Sequence, residues 1–246
     1  MNSTAAGISR RTLRALLWGP IIILMALGIL RFVYDGTQFP VPIEWIDFGA
    51  EGSGVMWWSS LMWGLAALFC FIEFERNITR QRYYWLAIAV GSLLLSLDES
   101  VQIHEHFGHL RIFSGFTGFF AARWVLAAIP IVVVCFLLLI PFFLYLPRRT
   151  SVGLILSGAV FVLGAVGMEM IFAYVRTTDP SEVVLVWILI SIEESLEMIG
   201  VALFCTTVHG HLHREERHSP LAKLPLSQAG IIDPRGHPAG AGTLTE

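Results

Sequence analysis

The sequence predicts an all-α fold, a polytopic membrane protein built as a bundle of six transmembrane helices. Of its 246 residues 55% are hydrophobic and only 14% charged, against about a quarter charged in a soluble domain. Several apolar runs are long enough to cross about 30 Å of hydrocarbon. Basic residues concentrate at the amino terminus, in two short loops and in the carboxyl-terminal tail, which sets an alternating topology with both termini in the cytoplasm. The net charge of −3 is uninformative, because the sign matters loop by loop. Nothing resembles a nucleotide-binding glycine loop or a nucleic-acid surface. The expected setting is a bacterial cytoplasmic membrane, with lipid as the surrounding partner.

Residues 1–13 are polar and basic, with Arg10 and Arg11 ahead of Arg14, and read as a cytoplasmic segment. The SRRTLR stretch is similar to a twin-arginine export signal, but no small-residue cleavage site follows. Ala15 to about Val33 is therefore expected to be a retained first helix. The loop from Tyr34 to about Gly54 holds Glu44, Asp47 and Glu51 with no Lys or Arg. It suits an interfacial or re-entrant segment on the outer side. Helix two, about Val55 to Phe74, starts with Trp57, Trp58 and Trp63, expected as interface anchors and packing residues.

The basic loop ERNITRQR (residues 75–82) is predicted cytoplasmic. Helix three runs outward from about Tyr83, and the segment LRIFSGFTGFF is expected along the interface. Helix four, about Ala122 to Leu146, holds Pro130 and Pro141, which are expected to bend it. The PRRT turn (residues 147–150) faces the cytoplasm. Helix five covers about Val152 to Val175 and helix six about Glu182 to Val208. Residues 14–208 thus form the predicted transmembrane domain, and 209–246 a largely disordered cytoplasmic tail. Cys70, Cys135 and Cys205 all lie in apolar runs, so no disulfide is expected.

Function is sought in acids that should not be in a membrane. An ionisable group at the bilayer centre costs about 2.5 to 3.5 kcal/mol on the insertion scale. Helix three carries Asp98, Glu99, His104, Glu105, His106 and His109; on a continuous helix Asp98, Gln102 and Glu105 share one arc, and Glu99 and His106 the next. Helix six places Glu193, Glu194 and Glu197 on one face, with Gly200 permitting close approach, and helix five adds Glu169. All three groups fall between the midplane and the outer surface, which predicts one shared site. His104, His106, His109, Arg111, Arg123 and Arg176 are the available cationic partners. No lysine lies inside the membrane segments, which excludes a retinal-type Schiff base.

Carboxylates beside imidazoles, with no thiolate close by, suit a divalent metal such as Fe, Mn or Zn. The expected ligand set is Asp98, Glu99, His104, Glu105, His106 and His109 with Glu169, Glu193, Glu194 and Glu197. Asp98, Glu99 and Glu197 are the expected catalytic acids and bases. The two Glu-x-x-His pairs of a di-iron bundle are missing from the membrane part. The Leu97-Asp98-Glu99 triplet is similar to part of the alkaline ceramidase pattern, but that pattern's paired histidines on a late helix are absent from the membrane portion of helix six.

Three functions follow from the residues. The first is a metal-dependent membrane enzyme, hydrolase or oxidoreductase, acting on a lipid or other apolar substrate. The second is a proton- or cation-coupled transporter using the same carboxylates. The third is a non-catalytic subunit of a membrane complex, whose acids meet basic helices of a partner. Glu105, His106 and His109 also have a plainer reading as wet residues at a helix end, and His209, His211 and His213 as marking where helix six leaves the membrane.

Overall fold

The computed structural model describes residues 9–33, 45–50, 52–108 and 115–218. The described residues are helical apart from short connections. The chain divides into one unit through Gly210 and a second from His211, whose described part is the end of the last helix.

The first helix, α1, spans Arg10–Val33 and so starts five residues earlier than expected. α2 covers Gly54–Arg76, with the Ser53 hydroxyl accepting the Met56 amide at 3.3 Å to cap its start. The turn after it is closed by Asn77, whose side-chain oxygen accepts the Thr79 amide at 2.9 Å and the Thr79 hydroxyl at 2.6 Å. α3, Arg82–Val101, returns against α2 as a hairpin. Serines join the two helices. Ser60 Oγ donates to the Ser96 carbonyl at 2.8 Å, and Ser96 Oγ donates to the Ser60 carbonyl at 2.9 Å. Small hydroxyl residues let two helices approach where lipid offers no polar competitor.

Helix three is not continuous. Gln102 adopts the left-handed conformation at φ 53° and ends α3, and a separate short helix, α4, follows over Ile103–Gly108. After a single 3₁₀ turn at Gly118–Phe120, α5 spans Val125–Tyr145 and contains both Pro130 and Pro141. α5 is loosely held: Val125 and Phe142 are its buried residues, while Ile131, Leu138 and Leu144 are more than half exposed, as lipid-facing side chains would be.

The expected fifth helix is built in three parts. α6 covers Arg148–Val162, a π-helical segment follows over Leu163–Met168, and α7 covers Glu169–Thr178. A π segment adds residues to the turn and so rotates everything after it relative to an unbroken α-helix. Here the first residue after it is Glu169. Beyond α7, Asp179 accepts the Ser181 hydroxyl at 2.5 Å and its amide at 3.1 Å. Those hydrogen bonds hold the exposed Asp179 carboxyl below its ordinary range. α8, Val183–His218, runs ten residues past the expected end, so residues 209–218, assigned to the tail, are helical. The remaining tail lies outside the described residues.

Among the described residues, five helices are long and apolar enough to cross a membrane: α1, α2, α3, α5, and the α6–α7 run of 31 residues. α8 has the length, but its apolar run is interrupted by Glu193, Glu194 and Glu197. A multi-pass membrane bundle accounts for these helices and their exposed apolar faces.

α8 meets the α6–π run at backbone distance. A Cβ on Gly200 would lie 2.8 Å from the backbone nitrogen of Phe161, and one on Gly164 would lie 3.0 Å from the Glu193 carbonyl oxygen. Trp63 of α2 closes the layer, its ring edge-on to Phe161 at 4.9 Å. Trp63 is buried and Trp57 is 65% exposed, so the tryptophans divide between packing and the position of an interface anchor.

Candidate functional site

Three helices bring their acids to one place. A cavity of about 550 Å³ is lined by Asp98 and Glu99 of α3, His104 of α4, Glu169 of α7, and Glu193, Glu194 and Glu197 of α8. Apart from Gln102 and Arg176 its remaining walls are apolar, with Leu95, Ala128, Ile131, Val162 and Ile190 among them, and Trp124 and Phe172 supply aromatic faces. Phe48 and Gly49, from the described part of the segment between α1 and α2, also line it. Arg31 at the end of α1 bridges to Asp47 at 2.7 Å and tethers this loop.

The break at Gln102 builds the first feature. Asp98 Oδ1 accepts the backbone amide of His104 at 2.9 Å, and its Oδ2 meets His104 Nδ1 at 2.8 Å. One carboxylate thus caps the short helix and fixes the imidazole, whose ring lies against Trp124 at 4.8 Å between centroids. A continuous helix would have paired Asp98 with Glu105 on one arc; the left-handed residue cancels that arc. Irregular backbone at this depth is tolerated where it lines a cavity.

The second feature is carboxyl against carboxyl. The Glu169 and Glu193 carboxyls stand within hydrogen-bonding reach of one another. Glu193 is buried at 9% exposure. Two carboxylates cannot bond without a proton between them. Glu99 stands beside the buried Ser59 of α2. Glu194 Oε2 is fully enclosed and has no hydrogen-bond partner in the described structure.

A family described as "Domain of unknown function (DUF8692)" matches residues 21–210. The chain belongs to the DUF8692 family. The match contains every residue of the cavity. No curated protein and no solved structure matches the chain.

Within the DUF8692 region the expected ligand set is only partly assembled. Asp98, Glu99, His104, Glu169, Glu193, Glu194 and Glu197 line the cavity. His106 does not; its ring is exposed and Nδ1 lies 2.8 Å from the Gln102 carbonyl, the wet helix-end position. His109 and the Glu105 side chain lie outside the described residues. Among the described residues no three His, Cys, Asp or Glu side chains stand as a metal-holding group. The expectation of a metal centre is therefore not supported. The physical reason is that the donors face each other: Asp98 is taken by His104, and Glu169 by Glu193.

Sequence reasoning missed several members of the site. Gln102 carried no signal, since a left-handed glutamine is set by context. Trp124 and Arg176 line the cavity, and the Arg176 guanidinium sits 5.8 Å from the Phe172 ring. Arg176 was legible as a partner from its seven-residue spacing to Glu169, but Trp124 was not. Glu73 of α2 was overlooked altogether, although an acid within FIEF is audible in the sequence; it is buried to 1% exposure, away from the cavity. His209 is buried with its ring 5.6 Å from Phe69, so it packs inside the bundle.

Proposed function

We propose that this DUF8692 chain is a six-span, proton-coupled carrier whose intramembrane carboxylates exchange protons with a cargo held in the cavity. The observation that carries the reading is the Glu169–Glu193 pair, because a carboxyl pair that must share a proton is ready to release it when a cation arrives. The broken α3–α4 helix beside it supports the same reading, since interrupted helices recur at the binding sites of carriers. α8 is taken as the sixth span. Its acids turn toward the cavity rather than toward lipid, which removes the insertion cost of about 2.5 to 3.5 kcal/mol for each.

In this mechanism Glu193 and Glu169 hold the exchangeable proton, Glu197 and Glu194 present charge to the cargo, and the Asp98–His104 pair positions the imidazole at the cavity wall. Full-length protein in liposomes is given an inward proton gradient, with a pH-sensitive dye inside. Wild type is expected to dissipate the gradient, and Glu197→Gln to do so at least tenfold more slowly. Glu193→Gln is expected to match or exceed the wild-type melting temperature, since the amide mimics a protonated acid. Wild-type liposomes no leakier than empty ones would end the carrier reading. Stoichiometric metal in the purified protein, lost together with stability in Glu197→Gln, would return the site to a metal enzyme.

A second reading, a membrane enzyme acting on a lipid or other apolar substrate, is favoured by the Asp98–His104 geometry. An imidazole oriented by a carboxylate is the arrangement that general base catalysis uses. Hydrolysis of labelled lipid that disappears in His104→Ala would favour it.

The topology is tested separately. The basic segments around Arg10, Arg80 and Arg148 support a topology with both termini in the cytoplasm. Cysteine at position 45, where Trp45 is 66% exposed, is expected to react with an impermeant maleimide in intact cells. Cysteine at position 79 is expected to be protected. Position 46 is unsuitable as a probe, because Ile46 is 3% exposed. The reverse labelling would invert the depth of the site.

A further inference from the structure

The chemistry of the cavity specifies more than a charge. Five glutamates and an aspartate line it, whereas the cationic groups on its wall are Arg176 and, when protonated, His104. Asp98 is already bonded to His104, and Glu169 stands against Glu193. What is left over is specific: Glu194 Oε2, enclosed and without a partner in the described structure, on a wall of the cavity. A buried acceptor without a donor is destabilising, and more so when charged. A donor arriving from the cavity would satisfy it.

The remaining surface says what that donor is attached to. Around the acids the lining is aliphatic, with Leu95, Ile131, Val132 and Val166, and aromatic at Trp124 and Phe161. A hydrated inorganic ion gains nothing from such walls. An ammonium head does gain from carboxylates and aromatic faces together, and an apolar body gains from burial against the rest. The volume of about 550 Å³ lies within the range of small-molecule sites. Ala127 and Ala128 of α5 form part of the wall, on the helix that the bundle holds least.

We infer that the cavity binds an amphipathic organic cation, an ammonium head on an apolar body, with Glu194 as the acceptor for the head group. The inference rests on the carrier reading for its purpose, but binding itself needs no gradient and is measured without one.

The test uses full-length protein in nanodiscs of neutral lipid at pH 7.5 and three probes that share one body: 4-phenylbutylamine, 4-phenylbutanol and 4-phenylbutyrate. Titration calorimetry is expected to show the amine binding one to one, and the alcohol and the carboxylate at least tenfold more weakly. Glu194→Gln is expected to lower amine affinity at least tenfold. Ala128→Trp, which fills the cavity from α5 and leaves every charge in place, is expected to abolish binding. Equal affinity for amine and alcohol would overturn the inference. So would amine binding unchanged in Glu194→Gln, or displacement of the amine by equimolar Na⁺ or Mg²⁺. Should Glu194→Gln fail to fold, the three-probe series on wild type and Ala128→Trp still decide. Amine binding without proton flux would defeat the carrier reading alone; flux without any preference for the cationic head would defeat this inference alone.

Discussion

Gly200→Leu is expected to prevent the bundle from forming. Even the first carbon of a side chain at this position would stand 2.8 Å from the Phe161 backbone nitrogen and 2.9 Å from its Cα, and a backbone cannot rotate away as a side-chain tip can. The two helices would have to separate along the layer that holds Glu197 one turn before Gly200 and Phe161 at the cavity wall. Overpacking a well-filled core commonly costs about 1 to 3 kcal/mol. A leucine pressed against the main chain of Phe161 is expected to reach or pass the upper value. The measurement is thermal unfolding of detergent-purified protein by fluorescence size exclusion, where the variant should lose its monodisperse peak. Gly158→Ala is the matched control on α6. Nothing lies within 4 Å of a Cβ there, so it is expected to be neutral or to gain up to about 1 kcal/mol from helix propensity. Gly200→Leu with a wild-type melting curve would mean that α8 and α6 do not meet as described.

Asp98→Ala is expected to carry the second-largest effect, and to act on both stability and function. The carboxylate makes two bonds to one residue, the His104 amide at 2.9 Å and its Nδ1 at 2.8 Å. Hydrogen bonds involving a charged partner contribute about 1.5 to 3 kcal/mol each. The pair is partly exposed, at 33% for the His104 side chain and 28% for that of Asp98, so the lower end applies and a loss of about 2 to 4 kcal/mol is expected. Asp98→Asn separates the two bonds, because the amide oxygen can still accept the His104 N–H while the charge is gone. It is expected to retain the fold and to alter the imidazole tautomer, read from the ¹⁵N chemical shifts of His104 by NMR. Identical His104 shifts in wild type and Asp98→Asn would show that Asp98 does not position the ring.

These two residues also mark the division between what the chain displays along its length and what it conceals. Gly200 was visible as a point of close approach because it follows Glu197 on an apolar helix. Its counterpart Gly164 was not singled out, because a glycine in LGAVG has no meaning until Glu193, Leu196 and Glu197 are set against it. Asp98 was visible as an acid out of place. Its bond to His104 was not, because helical periodicity gave it Glu105 for a neighbour.

The sequence by itself determined the class and the places of the long helices, and it pointed to one shared place for three groups of acids. Those properties are local or statistical: an apolar run has to be buried or lipid-facing, basic residues stay on one side, and 1.5 Å per residue fixes depth along a helix. Tertiary structure alone decided which acids face which. Gln102 at φ 53° and the π segment at Leu163–Met168 each break the 3.6-residue period just ahead of a site residue, so the direction of His104 and Glu169 cannot be counted from the helix before them. The approach of α7 to α8 then gave Glu169 and Glu193 to one another and left Glu194 Oε2 without a donor. Contacts between residues far apart in the chain made those choices, and no periodicity within a single helix encodes them.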